Sequence, residues 1–212
     1  IWITIGGGES VQFKEGKLWK NYEKKEAYEA EEGSFAANVL TSLNYVSQTE
    51  VGLELVNEIA GDEDFRVDIE KTSFTNKFSR RKQKISYLPN FGLETFGEGG
   101  EEGIQSPAVG LIHELGHAKI QKDVLKEFGR DSKEFRKHIN KSGDKLLEEE
   151  NEVVRKYETP VAKELNEKFG ANEGIRVANE RYSAYENAAD DVRVLGPTST
   201  EKKNAKTTKK KN

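Results

Sequence analysis

The chain has no cysteine and no methionine. The first absence excludes a disulfide framework and any thiolate ligand, so a bound metal would rest on histidine and carboxylate donors. Proline occurs four times and histidine three times in 212 residues, so the position of each is informative. No apolar run approaches the ~20 residues that span a bilayer, and membrane insertion is not expected. No basic-then-apolar signal peptide is visible; because the chain begins at Ile1 rather than Met, it reads as a piece of a longer protein whose export signal would lie upstream. The net charge of −4 gives no bias toward nucleic acid, and no nucleic-acid partner is expected. With 34% apolar and 34% charged residues, the composition supports one modest core beneath a heavily solvated surface.

What is present organises as strands first and helices after. "IWITIGGGE" (1–9) reads as a strand ending in a glycine turn, and "VQFKEGKLW" (11–19) alternates around Glu15-Gly16 as a β-hairpin. The glycine run is not a phosphate-binding loop, because no Gly-Lys-Ser/Thr follows it. Residues 20–33 are polar and read as linker. Ser34 can cap a helix with the stripe Phe35, Val39, Leu43, Val46, and Thr49 a second one with Leu55, Val56 and Ile59 inward. "FRVDIE" (65–70) and "KISYLP" (84–89) are short strand candidates. Residues 90–106 carry five glycines without periodicity and read as a long loop. Ser106-Pro107 opens a helix reaching about residue 122, with serine as N-cap and proline in the first turn. Helical pattern continues to 170, broken near Gly129 and Ser142-Gly143, with Asp144 as a cap and Thr159-Pro160 as a restart or kink. The expected organisation is a single α+β domain over 1–196 and a disordered basic tail over 197–212.

Two of the three histidines sit in "GLIHELGHAK" (110–119). On a helix, positions i and i+4 share a face, so His113 and His117 can address one ion. Zn–N bonds of ~2.0–2.1 Å suit two imidazoles so spaced. Glu114, one position round, cannot easily bind the same ion but can take a proton from a water beside it. That is the general-base position of an H-E-x-x-H metallopeptidase. Gly116 costs ~1 kcal/mol relative to alanine in a helix interior, which close approach of another element would explain.

A catalytic Zn²⁺ needs a third protein ligand and one open position. His138, in "KEFRKHINK", reads as solvated, so a carboxylate is required. Leu147, Val154, Val161 and Leu165 fall on one helix face; Glu150 and Glu158 lie on that stripe, and Glu152 does not. A glutamate on an apolar face is costly unless paired or metal-bound. Glu150 and Glu158 are therefore both candidates, one as ligand and the other as its partner.

At this point a resemblance enters. "PAVGLIHELGHA" (107–118) resembles the active helix of the effector-type metallopeptidase domains at the C-termini of RHS-repeat polymorphic toxins, a family that includes type III secreted effector proteases. "VQFKEGKLW", "ISYLP", "EEENEVVRKYETPVAKEL" and "GIRVANERYSAY" resemble further segments of it. The layout is also similar to clostridial neurotoxin proteases, in which a Glu-Glu pair some thirty-odd residues after the second histidine supplies the third ligand. That likeness points to Glu149-Glu150 with Glu150 as ligand, and Glu158 remains open. The family's oxyanion-steadying Arg…Tyr pair corresponds to Arg176 and Tyr182, or alternatively Arg181 and Tyr185. The resemblance implies secretion or delivery into target cells, a protein or peptide substrate, and an immunity protein as a further partner.

The expectation is a zincin-like α+β fold: a small N-terminal β-hairpin or sheet, then the H-E-x-x-H helix packed against a long C-terminal helix from about 144 to 169. Its expected activity is that of a zinc endopeptidase using Glu114. "KISYLP" is the expected edge strand for substrate, and the 90–106 loop the expected roof of the cleft. Two other readings remain: a zinc hydrolase acting on other amides, and a non-catalytic interaction module of a larger secreted protein.

Overall fold

The computed structural model of the chain describes residues 1–90, 92–96, 102–171 and 173–175. Seven strands form one mixed sheet: β1 (Trp2–Thr4), β2 (Ser10–Lys14), β3 (Lys17–Asn21), β4 (Glu26–Ala27), β5 (Asp68–Lys71), β6 (Lys77–Ser79) and β7 (Lys84–Tyr87), in the order β4-β3-β2-β1-β5-β7-β6. β1, β5 and β7 run parallel and the other pairings are antiparallel. The β2–β3 turn places Glu15 and Gly16 at positive φ, as a tight two-residue hairpin turn requires. Buried Val11, Phe13, Ile69, Ile85 and Tyr87 alternate with half-buried neighbours, so one face of the sheet meets the core.

Helices α1 (Phe35–Val46) and α2 (Glu50–Ala60) bury Val39, Leu43, Val46, Leu55, Val56 and Ile59 in that core. Ser34 and Thr49 cap them, accepting hydrogen bonds from Ala37 N and Gly52 N. Helix α3 (Pro107–Phe128) begins at Ser106, whose Oγ accepts from Val109 N. It runs six residues further than its apolar pattern suggested and ends where Gly129 adopts a φ of 78°. Short helix α4 (Lys133–Ile139) follows. Then α5 (Asp144–Val153), a π-turn (Val154–Glu158) and α6 (Thr159–Phe169) form one continuous rod against α3. The fold is thus the α+β arrangement expected from sequence: a sheet, then the H-E-x-x-H helix packed against a long C-terminal helix.

Several local expectations need correction. "KISYLP" supplies β7, which lies between β5 and β6; the edge strand is β6, only three residues long. The 20–33 segment contributes β4. Within the glycine-rich 90–106 stretch, β8 (Leu93–Phe96) pairs antiparallel with β9 (Glu102–Gln105), in Leu93↔Gln105 register. Gly103 admits the passing backbone of Gly174, whose N–H bonds Ile104 O; a Cβ at Gly103 would stand 2.6 Å from Gly174 Cα. Gly143, not Asp144, is the N-cap of α5, and Asp144 is its first residue. Leu147 is 50% exposed; the inward leucine is Leu146.

The π-turn has a local cause. Pro160 has no N–H to donate to the carbonyl four residues back and crowds the turn before it. The chain inserts a residue instead, and Thr159 N bonds Val154 O five residues back. This changes which side chains share a face. Two α-turns take ~7.2 residues, so on a uniform helix Glu158 would overshoot Glu150. The wider turn absorbs the surplus, and both carboxylates reach the same imidazole.

Gly116 is where the rod meets α3. A Cβ there would lie 2.8 Å from Tyr157 Cδ2 and 2.9 Å from Val153 Cγ1. Gly116→Ala should therefore destabilise the protein by about 1–2 kcal/mol, because overpacking of about 1–3 kcal/mol exceeds the ~1 kcal/mol gained in helix propensity. Urea denaturation would show it. Unchanged or increased stability would mean that this approach is not a constraint.

Candidate metal centre

The buried half of α3 carries His113, Glu114 and His117, each slightly exposed, among the fully buried Val109, Leu111, Ile112, Leu115 and Ala118. The helix fixes the two imidazoles on one face, and their Nε2 atoms lie 3.1 Å apart. Glu150, from α5, completes the group: its carboxylate oxygens lie 3.3 Å from His113 Nε2 and 3.1 Å from His117 Nε2. One donor atom from each residue falls within 4.8 Å of the others. A tetrahedral ion with ~2.0 Å bonds needs donors roughly 3.3 Å apart, and the separations of 3.1 to 3.3 Å in this group are of that size. Two imidazoles and a carboxylate are a zinc-type donor set.

The other ring nitrogens are engaged too. Glu158, fully buried, sits 2.6 Å from His113 Nδ1 and accepts a hydrogen bond from Gln105 Nε2 at 2.7 Å. Glu149 sits 2.9 Å from His117 Nδ1 and also accepts from Arg80 Nη2 at 2.6 Å and Lys141 Nζ at 2.9 Å. A carboxylate at Nδ1 keeps a proton there, so that each ring, once neutral, would offer its Nε2 lone pair on the Glu150 side. Adjacent residues Glu149 and Glu150 thus address opposite sides of one imidazole.

The electrostatics call for a cation. Glu114, Glu149, Glu150 and Glu158 surround the two imidazoles, whereas Arg80 and Lys141 both serve Glu149. Burial opposes charging of His113, yet hydrogen bonds to Glu150 and Glu158 outweigh it and hold its pKa up at about 10. His117 is shifted upward in the same way, by Glu149 and Glu150 against burial. Burial likewise acts to raise the Glu149 and Glu150 carboxyls, but their imidazole partners, joined at Glu149 by Lys141 and Arg80, hold both well below the usual range. Protons on the imidazoles hold the place that a divalent cation would take.

Glu114 points elsewhere. Its Oε2 accepts a hydrogen bond from the backbone N–H of Phe78, at 2.6 Å, on the edge strand β6. The same strand, the β8–β9 hairpin, α3 and α5 border a cavity of about 280 Å³, lined by Asn76, Phe78, Arg80, Leu93, Gln105, Leu146 and the histidine–glutamate cluster. Gly110 forms part of its wall, and a Cβ there would press on Asn76 Nδ2 at 2.9 Å.

Of the residues singled out in the sequence, His113, Glu114, His117, Glu150 and Glu158 come together here, with Glu150 on the Nε2 side and Glu158 behind His113. Arg176 and Tyr182, the alternatives Arg181 and Tyr185, and the 197–212 tail lie outside the described residues. His138 is not solvated. It is buried, stacks on Phe135 with centroids 6.5 Å apart, and lies 3.8 Å from Glu149. Burial lowers its pKa to about 4 against the attraction of Glu149. Arg80, Lys141, Gln105 and the Phe78 amide were not anticipated, because they join the site through chain separations that no local pattern encodes. Glu149 carried a signal, since two neighbouring carboxylates can take both nitrogens of one ring. No protein-family model matches the chain, and no curated protein matches it.

Two measurements follow from this geometry. In equilibrium dialysis, Glu150→Ala should abolish stoichiometric zinc binding, whereas Glu158→Ala and Glu149→Ala should weaken it about 10- to 100-fold, the effect typical of groups that orient a ligand. The reverse order would make Glu158 the donor. Because its carboxylate partners hold His113 protonated near neutral pH when no metal is bound, and a metal ligand must be neutral, zinc binding near pH 7 should release protons and tighten as pH rises. Calorimetry in two buffers of different ionisation enthalpy would read that release directly.

Proposed function

We propose that this chain is a zinc-dependent endopeptidase in which Glu114 is the general base. The observation that carries this reading is the convergence of His113 Nε2, His117 Nε2 and Glu150 at one point of a cleft whose rim is the open edge of β6. Zinc bound there supplies Lewis acidity, which lowers the pKa of a water and polarises an amide carbonyl.

The protein's own groups do the rest. Glu114 takes the proton of the attacking water and passes one to the leaving amine. Glu149 and Glu158 hold a proton on each Nδ1 and fix both rings in orientation, so that each Nε2 faces the position the metal would take. An extended polypeptide lies beside β6, where residues facing away from β7 offer backbone groups to it. Phe78 N–H is committed to Glu114, which ties the base to the strand that receives the substrate. The walls from the hairpin and Leu146 restrict bulk water, strengthening charge–dipole interactions inside.

Two finer statements rest on the motif resemblance. One is a role as a toxin or effector domain, secreted or delivered into target cells and held in check by an immunity protein. The other is stabilisation of tetrahedral charge by Arg176 and Tyr182. The absence of cysteine argues against amide hydrolases that use a cysteine as third ligand.

Glu114→Gln should retain zinc and lower cleavage of a denatured-protein or peptide-library substrate by about 10²- to 10⁴-fold, read by mass spectrometry of the products. Undiminished cleavage by His113→Ala would sink the reading. Hydrolysis of small formylated amides, with peptides untouched, would replace it with the other hydrolase class.

A further inference from the structure

Beside the cleft lies a second depression, an open groove of about 680 Å³. Its lining is cationic: Lys133, Arg136 and Lys137 from α4, Lys141 from the turn, and Lys145 from α5, with Asp144 as the one acid. In a chain of net charge −4, five of the cations are gathered within thirteen residues. Elsewhere on the helices, three cations are matched to acids one turn away, Lys119–Asp123, Lys156–Glu152 and Lys168–Glu164. Among the described residues, Lys133, Arg136, Lys137 and Lys145 form no such pair and are exposed. Phe135 and His138 turn inward from the same helix and anchor it, so the cations are held on a fixed surface.

The groove and the cleft adjoin. Lys145 lines one and its neighbour Leu146 lines the other. Glu149 is gripped from the cleft side by Arg80 and from the groove side by Lys141. A chain leaving the metal centre past Leu146 enters a run of unmatched positive charge.

We propose that this groove is an exosite that receives an acidic stretch of the polypeptide substrate, flanking the bond to be cut. The proposal rests on the endopeptidase reading of the adjoining cleft and names the kind of substrate that cleft takes. Charge complementarity selects the occupant. Several features favour a polypeptide over a nucleic acid. The groove opens into a cleft suited to an extended chain, its lining has no aromatic ring on which bases could stack, and the molecule's net negative charge opposes a long polyanion. Separate carboxylates on a peptide can straddle Asp144, which a continuous phosphate backbone would meet head-on.

The test uses binding, so it does not depend on turnover. The full chain carrying Glu114→Gln is titrated into fluorescein-labelled deca-glutamate, and separately into labelled deca-thymidylate, with fluorescence anisotropy as the readout. Deca-glutamate should bind, and binding should weaken with salt. Combining Arg136→Ala, Lys137→Ala and Lys145→Ala should weaken it about ten-fold or more. Removing three cations on the distant hairpin, Lys17→Ala, Lys20→Ala and Lys24→Ala, should leave it within about two-fold, which separates the groove from net charge. Should the triple groove variant fail to fold by circular dichroism, the single exposed changes Lys137→Ala and Lys145→Ala should each weaken binding about two- to three-fold. Absence of deca-glutamate binding, or equal loss in the groove and hairpin variants, would overturn the proposal. Tighter binding of deca-thymidylate through the same three residues would overturn it too, in favour of a nucleic-acid surface. Failure of the peptidase reading would appear instead in zinc content and cleavage, which this titration does not touch.

Discussion

Three glutamates reach two imidazoles in a place largely closed to water, and a fourth, Glu114, stands on the same helical turn with its carboxylate on the Phe78 amide. That concentration of like charge constrains the rest of the structure. Carboxylates so placed are tolerable only if each has a donor and if the centre holds positive charge. The arrangement meets both conditions. Gln105 donates to Glu158, Phe78 N–H to Glu114, and Arg80 and Lys141 to Glu149, while the two rings hold the middle. Each donor comes from a different element: the end of the β8–β9 hairpin, the edge strand, the turn after that strand, and the turn before α5. The site is therefore a node of the fold as well as a candidate place of chemistry.

The same node explains how the C-terminal rod is seated. Gly116 lets Tyr157 and Val153 approach α3 closely, and the π-turn beside Pro160 sets the rotation at which Glu150 and Glu158 arrive. Without the close approach the carboxylates would stand too far from the rings; without the extra residue one of them would face away. Glu173 adds a further buried carboxyl at the start of α3, accepting from Ser106 N and the Tyr45 hydroxyl, and burial pushes its pKa up to about 7. The segment that follows the rod is thereby fastened to the helix that bears the histidines.

What could be read in the sequence follows from distance along the chain. His113, Glu114 and His117 are one helical turn, and the caps at Ser34, Thr49 and Ser106 are local too, so pattern sufficed for all of them. Helix periodicity nominated Glu150 and Glu158 without ranking them, because ranking them by geometry requires the π-turn, and only Pro160 hints at it; the preference for Glu150 came from the resemblance alone. β6 is too short to show alternation, and its place at the edge depends on pairing with β7. The glycines of 90–106 disguised a strand pair whose Gly103 serves a backbone crossing. His138 was hidden by its neighbours: Arg136 and Lys137 make the segment look solvated, yet the helix turns that one face inward beside Phe135.

The hydrogen bond from Phe78 N–H to Glu114 has a consequence for the cleft. β6 is among the shortest strands in the fold and has a strand neighbour on one side only; on the other, Phe78 N–H is held by Glu114. On the proposed endopeptidase reading, a polypeptide settling against β6 would take the place of the missing neighbour, and the Phe78 amide would link that contact to Glu114. On that reading the strand that would receive the chain is also the strand that holds the base, so filling the cleft would bear directly on where Glu114 stands.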